Sequence, residues 1–151
     1  MIAVIQRVLR ASVSVEGEVT GSCDKGLAIL LGVSREDCAR DADLLASKIA
    51  KLRIFSDEQG KMNLSVNDVS GDIVVVSQFT LMANYTKGNR PDYFDAAPPE
   101  LANGLYEYFV SVMRQNINGK VECGVFGADM VYEIINDGPV TIVMDSNKLK
   151  K

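Results

Sequence analysis

Two unbroken apolar runs set the terms for this chain. Gly26-Leu27-Ala28-Ile29-Leu30-Leu31-Gly32-Val33 carries no polar side chain, and Ile73-Val74-Val75-Val76 is β-branched through all its positions. Their length and glycine boundaries suit strands rather than helices. A strand sends successive side chains to opposite faces, so a strand apolar at every position is buried on both. The chain therefore needs a sheet with cover on each side.

The remaining segments supply that cover. Residues 1–15 alternate, with Ile2, Val4, Val8, Val13 and Val15 on a period of two, and Glu16-Gly17-Glu18 turns the chain into a hairpin. From Asp37 to Arg53 the period changes, and Leu44, Leu45, Ile49 and Leu52 form a helical stripe. Ile54-Phe55 returns to extended structure. Pro98-Pro99-Glu100 opens a second helix, with proline and an acid at its positive end and a stripe of Leu101, Leu105, Tyr108, Phe109 and Val112. Asn118-Gly119 stops it. Three extended segments follow, Val121–Val125, Met130–Ile135 and Val140–Met144, with Asn136-Asp137-Gly138-Pro139 as the turn between the last two. This order predicts an α/β protein with more sheet than helix and two helices over one sheet face. Its 151 residues fit one domain, residues 1–151, without repeat or linker.

Composition narrows the chemistry. The 151 residues include no histidine, so they cannot build a Ser-His-Asp triad, a Cys-His pair or a His-ligated metal site. Carboxylates, hydroxyls, backbone groups or the substrate itself must do any catalysis, and no metal or other cofactor is expected. Cys23, Cys38 and Cys123 are widely spaced and form no CxxC, which reads as three reduced thiols. Arg7 and Arg10 interrupt any signal-peptide core at the start, and no run approaches the ~18 apolar residues of a membrane span, so the expected compartment is the cytoplasm. A net charge of −4 speaks against a nonspecific nucleic-acid coat. It leaves open local basic clusters: Lys48, Lys51 and Arg53; Lys87 and Arg90; and Lys148, Lys150 and Lys151.

Three stretches have chemical potential. Ser77-Gln78-Phe79-Thr80-Leu81 places hydroxyls, an amide and backbone N–H groups where a buried strand ends, the usual place for ligands in α/β folds. It is equally what a strand leaving the core looks like, and no neighbour activates Ser77 or Thr80. Asn136-Asp137-Gly138-Pro139 is either a plain turn or a place where bare backbone approaches a small ligand. Gly124-Val125-Phe126-Gly127-Ala128-Asp129-Met130 is a glycine-bounded turn without the Lys and Ser/Thr of a phosphate loop. Asp57/Glu58 and Asp92/Asp95 sit in polar, turn-like segments and read as solvated surface rather than paired catalytic acids.

In order and spacing these stretches resemble the D-aminoacyl-tRNA deacylases, also called D-Tyr-tRNA deacylases. Ala3-Val4-Ile5-Gln6-Arg7-Val8, Leu52-Arg53-Ile54-Phe55 and Gly60-Lys61-Met62-Asn63-Leu64 match the family's first half. Ser77–Leu81 is its SQFTL motif. Lys87-Gly88-Asn89-Arg90-Pro91 and Ala96-Ala97-Pro98-Pro99 match its long loop, Gly124–Met130 its GVFGADM, and Asn136–Thr141 its NxGPxT. No motif position departs from the pattern.

The resemblance implies a three-layer β/β/α domain that works as a homodimer with active sites at the subunit interface. It implies hydrolysis of the ester joining a D-amino acid, or mischarged glycine, to the 3′-terminal ribose of tRNA. The partners expected are therefore tRNA and a second copy, with no membrane and no DNA. Ser77, Gln78, Phe79 and Thr80 would form the catalytic floor, with backbone N–H groups near Phe79 and Thr80 facing the oxyanion. Gly138-Pro139 would be cis and hold the substrate's ammonium in the partner's pocket, leaving no room for an L side chain. Arg7 would fix that loop, and Phe126 and Met130 would surround the adenosine. Within the family either Thr80 or the ribose 2′-hydroxyl is the candidate driver of hydrolysis, and the lack of histidine favours the latter. Two other readings stand beside it: a noncatalytic RNA- or nucleotide-binding module, and a serine or threonine hydrolase of small esters.

Overall fold

The computed structural model describes residues 1–151. Its elements run β1 (Ile2–Val15), β2 (Glu18–Cys23), β3 (Gly26–Gly32), α1 (Ala39–Ala50), β4 (Phe55–Ser56), β5 (Met62–Leu64), β6 (Asp72–Ser77), α2 (Pro99–Asn116), β7 (Val121–Cys123) and β8 (Val131–Asp145). A 3-10 turn, Phe79–Met82, follows β6. No helix is long and apolar enough to cross a membrane.

Strand β1 organises the sheet. Along one edge it pairs antiparallel with β8 for nearly its whole length. Along the other it pairs with β3 through residues 2–8 and with β2 through residues 11–15. Strands β6 and β7 then add in parallel beyond β3. The Ser22 N–H on β2 donates to Glu122 Oε2 on β7 at 2.5 Å, which brings the two ends of the sheet together and nearly closes it.

The apolar runs of β3 and β6 are covered on both faces, as their composition requires. Leu27, Ile29 and Leu31 of β3 and Ile73 and Val75 of β6 face the core shared with Leu45 and Ile49 of α1 and Phe109 and Met113 of α2. The alternate residues Ala28, Val74 and Val76 join a second cluster with Val8, Ala11, Val13 and Cys23, flanked by Leu30, Met130, Tyr132 and Ile134. The second half of β1, with β2 and β8, thus curls over the far face. The result is the expected strand-rich, three-layer β/β/α arrangement with two helices.

Two local expectations are corrected. Asn136–Pro139 does not separate two strands: β8 is one strand from Val131 to Asp145, and this segment is a bulge within it. The pairing runs Arg10↔Ile135 and Val8↔Asn136, then resumes at Gln6↔Thr141, so four residues of β8 pass opposite Arg7 alone. Turn-forming residues are compatible with a bulge, and the long partner β1 holds both sides in line.

The buried stripe of α2 is also rotated from the one read off the sequence. It consists of Ala102, Leu105, Tyr106, Phe109, Val110 and Met113, while Leu101 and Tyr108 are partly exposed. The two tyrosines explain the rotation. Tyr106 is buried because its hydroxyl reaches the Val75 carbonyl at 2.8 Å, whereas the Tyr108 hydroxyl meets Asp43 at the surface.

A polar knot ties α1 to the chain beyond β8. The buried Asp41 carboxylate accepts from Ser146 Oγ at 2.6 Å and from the Cys38 N–H at 2.9 Å, and pairs with Lys150 Nζ at 2.7 Å. Burial alone would raise its pKa, but these hydrogen bonds together hold it well below the usual carboxylate range.

Candidate active site

The buried run of β6 ends at Ser77, and the chain tightens at once into the Phe79–Met82 turn. Gln78 is the hinge: its N–H still donates to the Leu31 carbonyl at 2.8 Å as though the sheet continued, while its own carbonyl accepts from the Leu81 N–H at 3.2 Å. The turn packs directly onto the end of β3. A Cβ at Gly32 would lie 2.8 Å from the Met82 methyl and 2.9 Å from the Leu81 Cβ, so the close approach depends on the bare glycine. Phe79 and Thr80 open the turn, and the first donors of such a turn have no carbonyl of the turn to bond.

These residues border a cavity of about 870 Å³. Val76, Ser77, Gln78 and Phe79 line one side, and the Phe126–Met130 segment lines another. Phe126 is steadied by the Tyr106 ring, with centroids 6.2 Å apart. Phe79 is 56% exposed at the rim and meets the Tyr93 ring edge-on at 5.1 Å. The structure thus brings Ser77, Gln78, Phe79, Phe126 and Met130 to one cavity from segments far apart in sequence. Thr80 lies just outside the lining, and its hydroxyl accepts from the Gln78 side-chain amide.

Several lining residues escaped the sequence reading. Leu30, Tyr132 and Ile134 were findable in principle, since they share the strand parity that turns Val76 to this face. Arg35 and Tyr93 lie in irregular segments with no periodicity to mark them.

The ionisable groups lining the cavity are Arg35, Tyr93, Asp129 and Tyr132, none of a type whose ordinary pKa is near neutrality. Burial, with Cys23 nearby, pushes the Tyr132 phenol up, and its hydroxyl is committed to the Val74 carbonyl at 2.9 Å. The side chains here can position a substrate and exclude water, and Asp129 is the one carboxylate among them.

Arg7, Gly138 and Pro139 form a separate group and do not line the cavity. The Gly138-Pro139 peptide bond is cis, and both residues are exposed. Arg7 is buried behind them. Its Nη1 donates to the Ile54 carbonyl at 2.8 Å, its Nε donates to the Asp137 carbonyl at 3.2 Å, and Nε also pairs with Asp137 Oδ2 at 3.2 Å. Asn136 closes the bulge from the other side, donating through Nδ2 to the Arg7 carbonyl at 2.9 Å and the Val140 carbonyl at 3.1 Å. Gly138 has φ +118°, and a Cβ there would lie 2.3 Å from Arg7 Nη2, so only glycine fits. The bulge is therefore a rigid loop held outward.

Residues 4–145 match the family model described as D-Tyr-tRNA(Tyr) deacylase. The chain belongs to the D-aminoacyl-tRNA deacylase family. A D-aminoacyl-tRNA deacylase of Anaeromyxobacter dehalogenans is 58% identical over 149 residues, covering 99% of each chain. One from Dictyoglomus turgidum is 56% identical over 151 residues, covering all of this chain and 96% of its own. Among solved structures, one described as a c-Myc DNA unwinding element binding protein superposes with a TM-score of 0.91 at 44% identity, covering 96% of this chain and 98% of its own. Another, described as a probable eukaryotic D-amino acid tRNA deacylase, shares the fold with a TM-score of 0.81 at 15% identity, covering 95% of this chain and 98% of its own. The chain is accordingly an enzyme of the deacylase family, a hydrolase.

Proposed function

We propose that this protein hydrolyses the ester between a D-amino acid, or mischarged glycine, and the 3′-terminal ribose of tRNA. It acts in the cytoplasm as a homodimer, without metal or cofactor. The observation that carries the reading is the division of the site into an inward cavity and an outward, rigid Gly138-Pro139 bulge. A selectivity element that points away from its own cavity serves a second copy's cavity. The unpaired outer edge of β8 and the exposed side chains of Leu9, Val131 and Val143 support such an association.

The chemistry asks little of side chains. An aminoacyl ester is already activated, so holding its carbonyl against the backbone N–H groups of Phe79 and Thr80 stabilises the tetrahedral oxyanion. Water adds to the carbonyl carbon, the bond to the ribose oxygen breaks, and that oxygen leaves with a proton from the attacking water. The neighbouring ribose 2′-hydroxyl relays the proton, a role that suits a chain without histidine. Backbone carbonyls at Gly138-Pro139 receive the substrate's ammonium and reject an L side chain by exclusion. Phe126 and Met130 flank the terminal adenosine.

The deciding assay compares D-Tyr-tRNA with L-Tyr-tRNA in the presence of chelator. Release of D-tyrosine with L-Tyr-tRNA spared is expected, and no cleavage of any D-aminoacyl-tRNA at high enzyme concentration overturns the reading. Sedimentation at assay concentration should give twice the 16.4 kDa chain mass. The rival, a binding module without turnover, draws support from the DNA-binding description of the 44% identical structural relative. Capture of charged tRNA with its ester left intact would establish that rival.

A further inference from the structure

The two most exposed aromatic side chains, Tyr85 and Phe94 at 74% and 75%, belong to neither core nor cavity lining. Both sit on one projection of the long irregular segment between β6 and α2. Asn84 and Asp92 exchange backbone hydrogen bonds at 2.9 Å each, which closes residues 85–91 into a loop. Asn84 Oδ1 accepts from the Thr86 N–H at 3.1 Å and from its hydroxyl at 2.8 Å, fixing the start of the loop. The base of the projection meets the cavity rim: Tyr93 packs against Phe79, and Arg35, another lining residue, donates to the Phe94 carbonyl.

The loop itself is basic, and Asp92 and Asp95 beside Phe94 bound it. Residues 85–91 contain Lys87 and Arg90 and no acid, in a chain whose net charge is −4. Two exposed rings with two cations beside them match a single-stranded polynucleotide, whose bases stack on aromatic faces and whose phosphates meet the cations. A second copy of this acidic chain would also attract the two cations, but it lacks the alternation of phosphates and stackable bases that a polynucleotide brings to rings and cations together.

Resting on the deacylase reading, we propose that Tyr85, Lys87, Arg90 and Phe94 hold the unpaired nucleotides preceding the terminal adenosine of the tRNA acceptor end. The cavity would take the aminoacyl-adenosine, and the loop would take the strand leading into it.

The test uses Lys87→Ala/Arg90→Ala and Tyr85→Ala/Phe94→Ala in the full chain. Each is measured for affinity to uncharged tRNA with an intact 3′ end, and for hydrolysis of D-Tyr-tRNA and of D-tyrosyl-adenosine, which lacks the upstream nucleotides. Each double variant should weaken tRNA affinity about tenfold or more and raise KM for D-Tyr-tRNA to match, with D-tyrosyl-adenosine cleaved at the wild-type rate. The lysine–arginine variant should also flatten the salt dependence of log affinity by about 0.7 for each phosphate no longer neutralised. Unchanged tRNA affinity overturns the proposal. So does an equal loss on D-tyrosyl-adenosine, which would make the loop part of the pocket. Dissociation of the Tyr85→Ala/Phe94→Ala protein into monomers at wild-type tRNA affinity overturns it as well, assigning the rings to contact between copies. A wild type that shows the loop-dependent binding but cleaves neither ester supports the loop assignment and overturns the deacylase reading.

Discussion

Ser77–Thr80 ends a strand and Asn136–Pro139 bulges from within one, and they are held by opposite means. The first is positioned from within, by apolar packing: β6 is buried on both faces, and its exit is pressed against Gly32. The second is positioned from behind, by hydrogen bonds: Arg7 and Asn136 grip its backbone while Gly138 and Pro139 stay in solvent. Packing makes a concave surface and polar anchoring makes a convex one. The contrast suggests why one chain supplies a pocket and also a rigid element that its own pocket does not contain.

Removing the anchor should have the largest effect. Arg7→Ala leaves the Ile54 and Asp137 carbonyls without their donor and should cost about 3 kcal/mol, or a Tm lower by about 10 °C. The surviving folded enzyme should discriminate D-Tyr-tRNA from L-Tyr-tRNA at least about tenfold less well, because the bulge loses its geometry before the cavity does. A destabilised enzyme with full selectivity would show that the two regions are not separable in this way.

An intermediate effect should come from a third region that touches neither. Asp41→Asn should cost about 2 kcal/mol in thermal or urea unfolding and leave D/L selectivity intact. The folded pKa of Asp41 is depressed. Its contribution to stability is thus fully present above the ordinary carboxylate range near pH 4 and is lost as pH falls through the folded value. The wild type should lose stability over that acid range more steeply than the variant. Equal slopes would mean that Asp41 is not the group responsible.

The smallest effect should fall on Thr80→Ala. A nucleophile's removal costs several orders of magnitude in kcat. If backbone donors and the substrate's own hydroxyl carry the reaction, kcat should stay within about tenfold of wild type, measured on D-Tyr-tRNA with the fold verified by circular dichroism. Near-complete loss would move catalysis from the main chain to the Thr80 side chain.

The two regions also differ in how readily sequence betrays them. Runs such as Ile73–Val76 announce burial because every position is apolar, and the helices over 39–50 and 99–116 declare their period and their proline boundary. Asn136-Asp137-Gly138-Pro139 reads locally as a turn between strands. Its continuity in β8 depends on β1, at the other end of the chain, holding both flanks in register. The cavity was half legible for the same reason. Ser77, Phe126 and Met130 sit in recognisable motifs, whereas Arg35 and Tyr93 reach it only through the path of irregular segments. The knot around Asp41 joins residues 38 and 41, a capping box at the start of α1, to residues 146 and 150, and no local pattern connects the two pairs.

The pairing of β1 with β8 also bears on the order in which the molecule is made. Ile2 lies opposite Asp145 and Ser14 opposite Val131, so the strand that emerges first from the ribosome pairs along one entire edge with a strand that emerges almost last. Until then that edge is open, and Arg7 has no bulge to hold. During synthesis the protein carries a long unsatisfied strand in an otherwise buildable sheet, a state in which it can recruit the wrong partner. The Asn136–Pro139 bulge comes into being only with the strand that closes this gap, so a nascent chain can assemble much of its cavity before the bulge we propose for stereoselectivity exists.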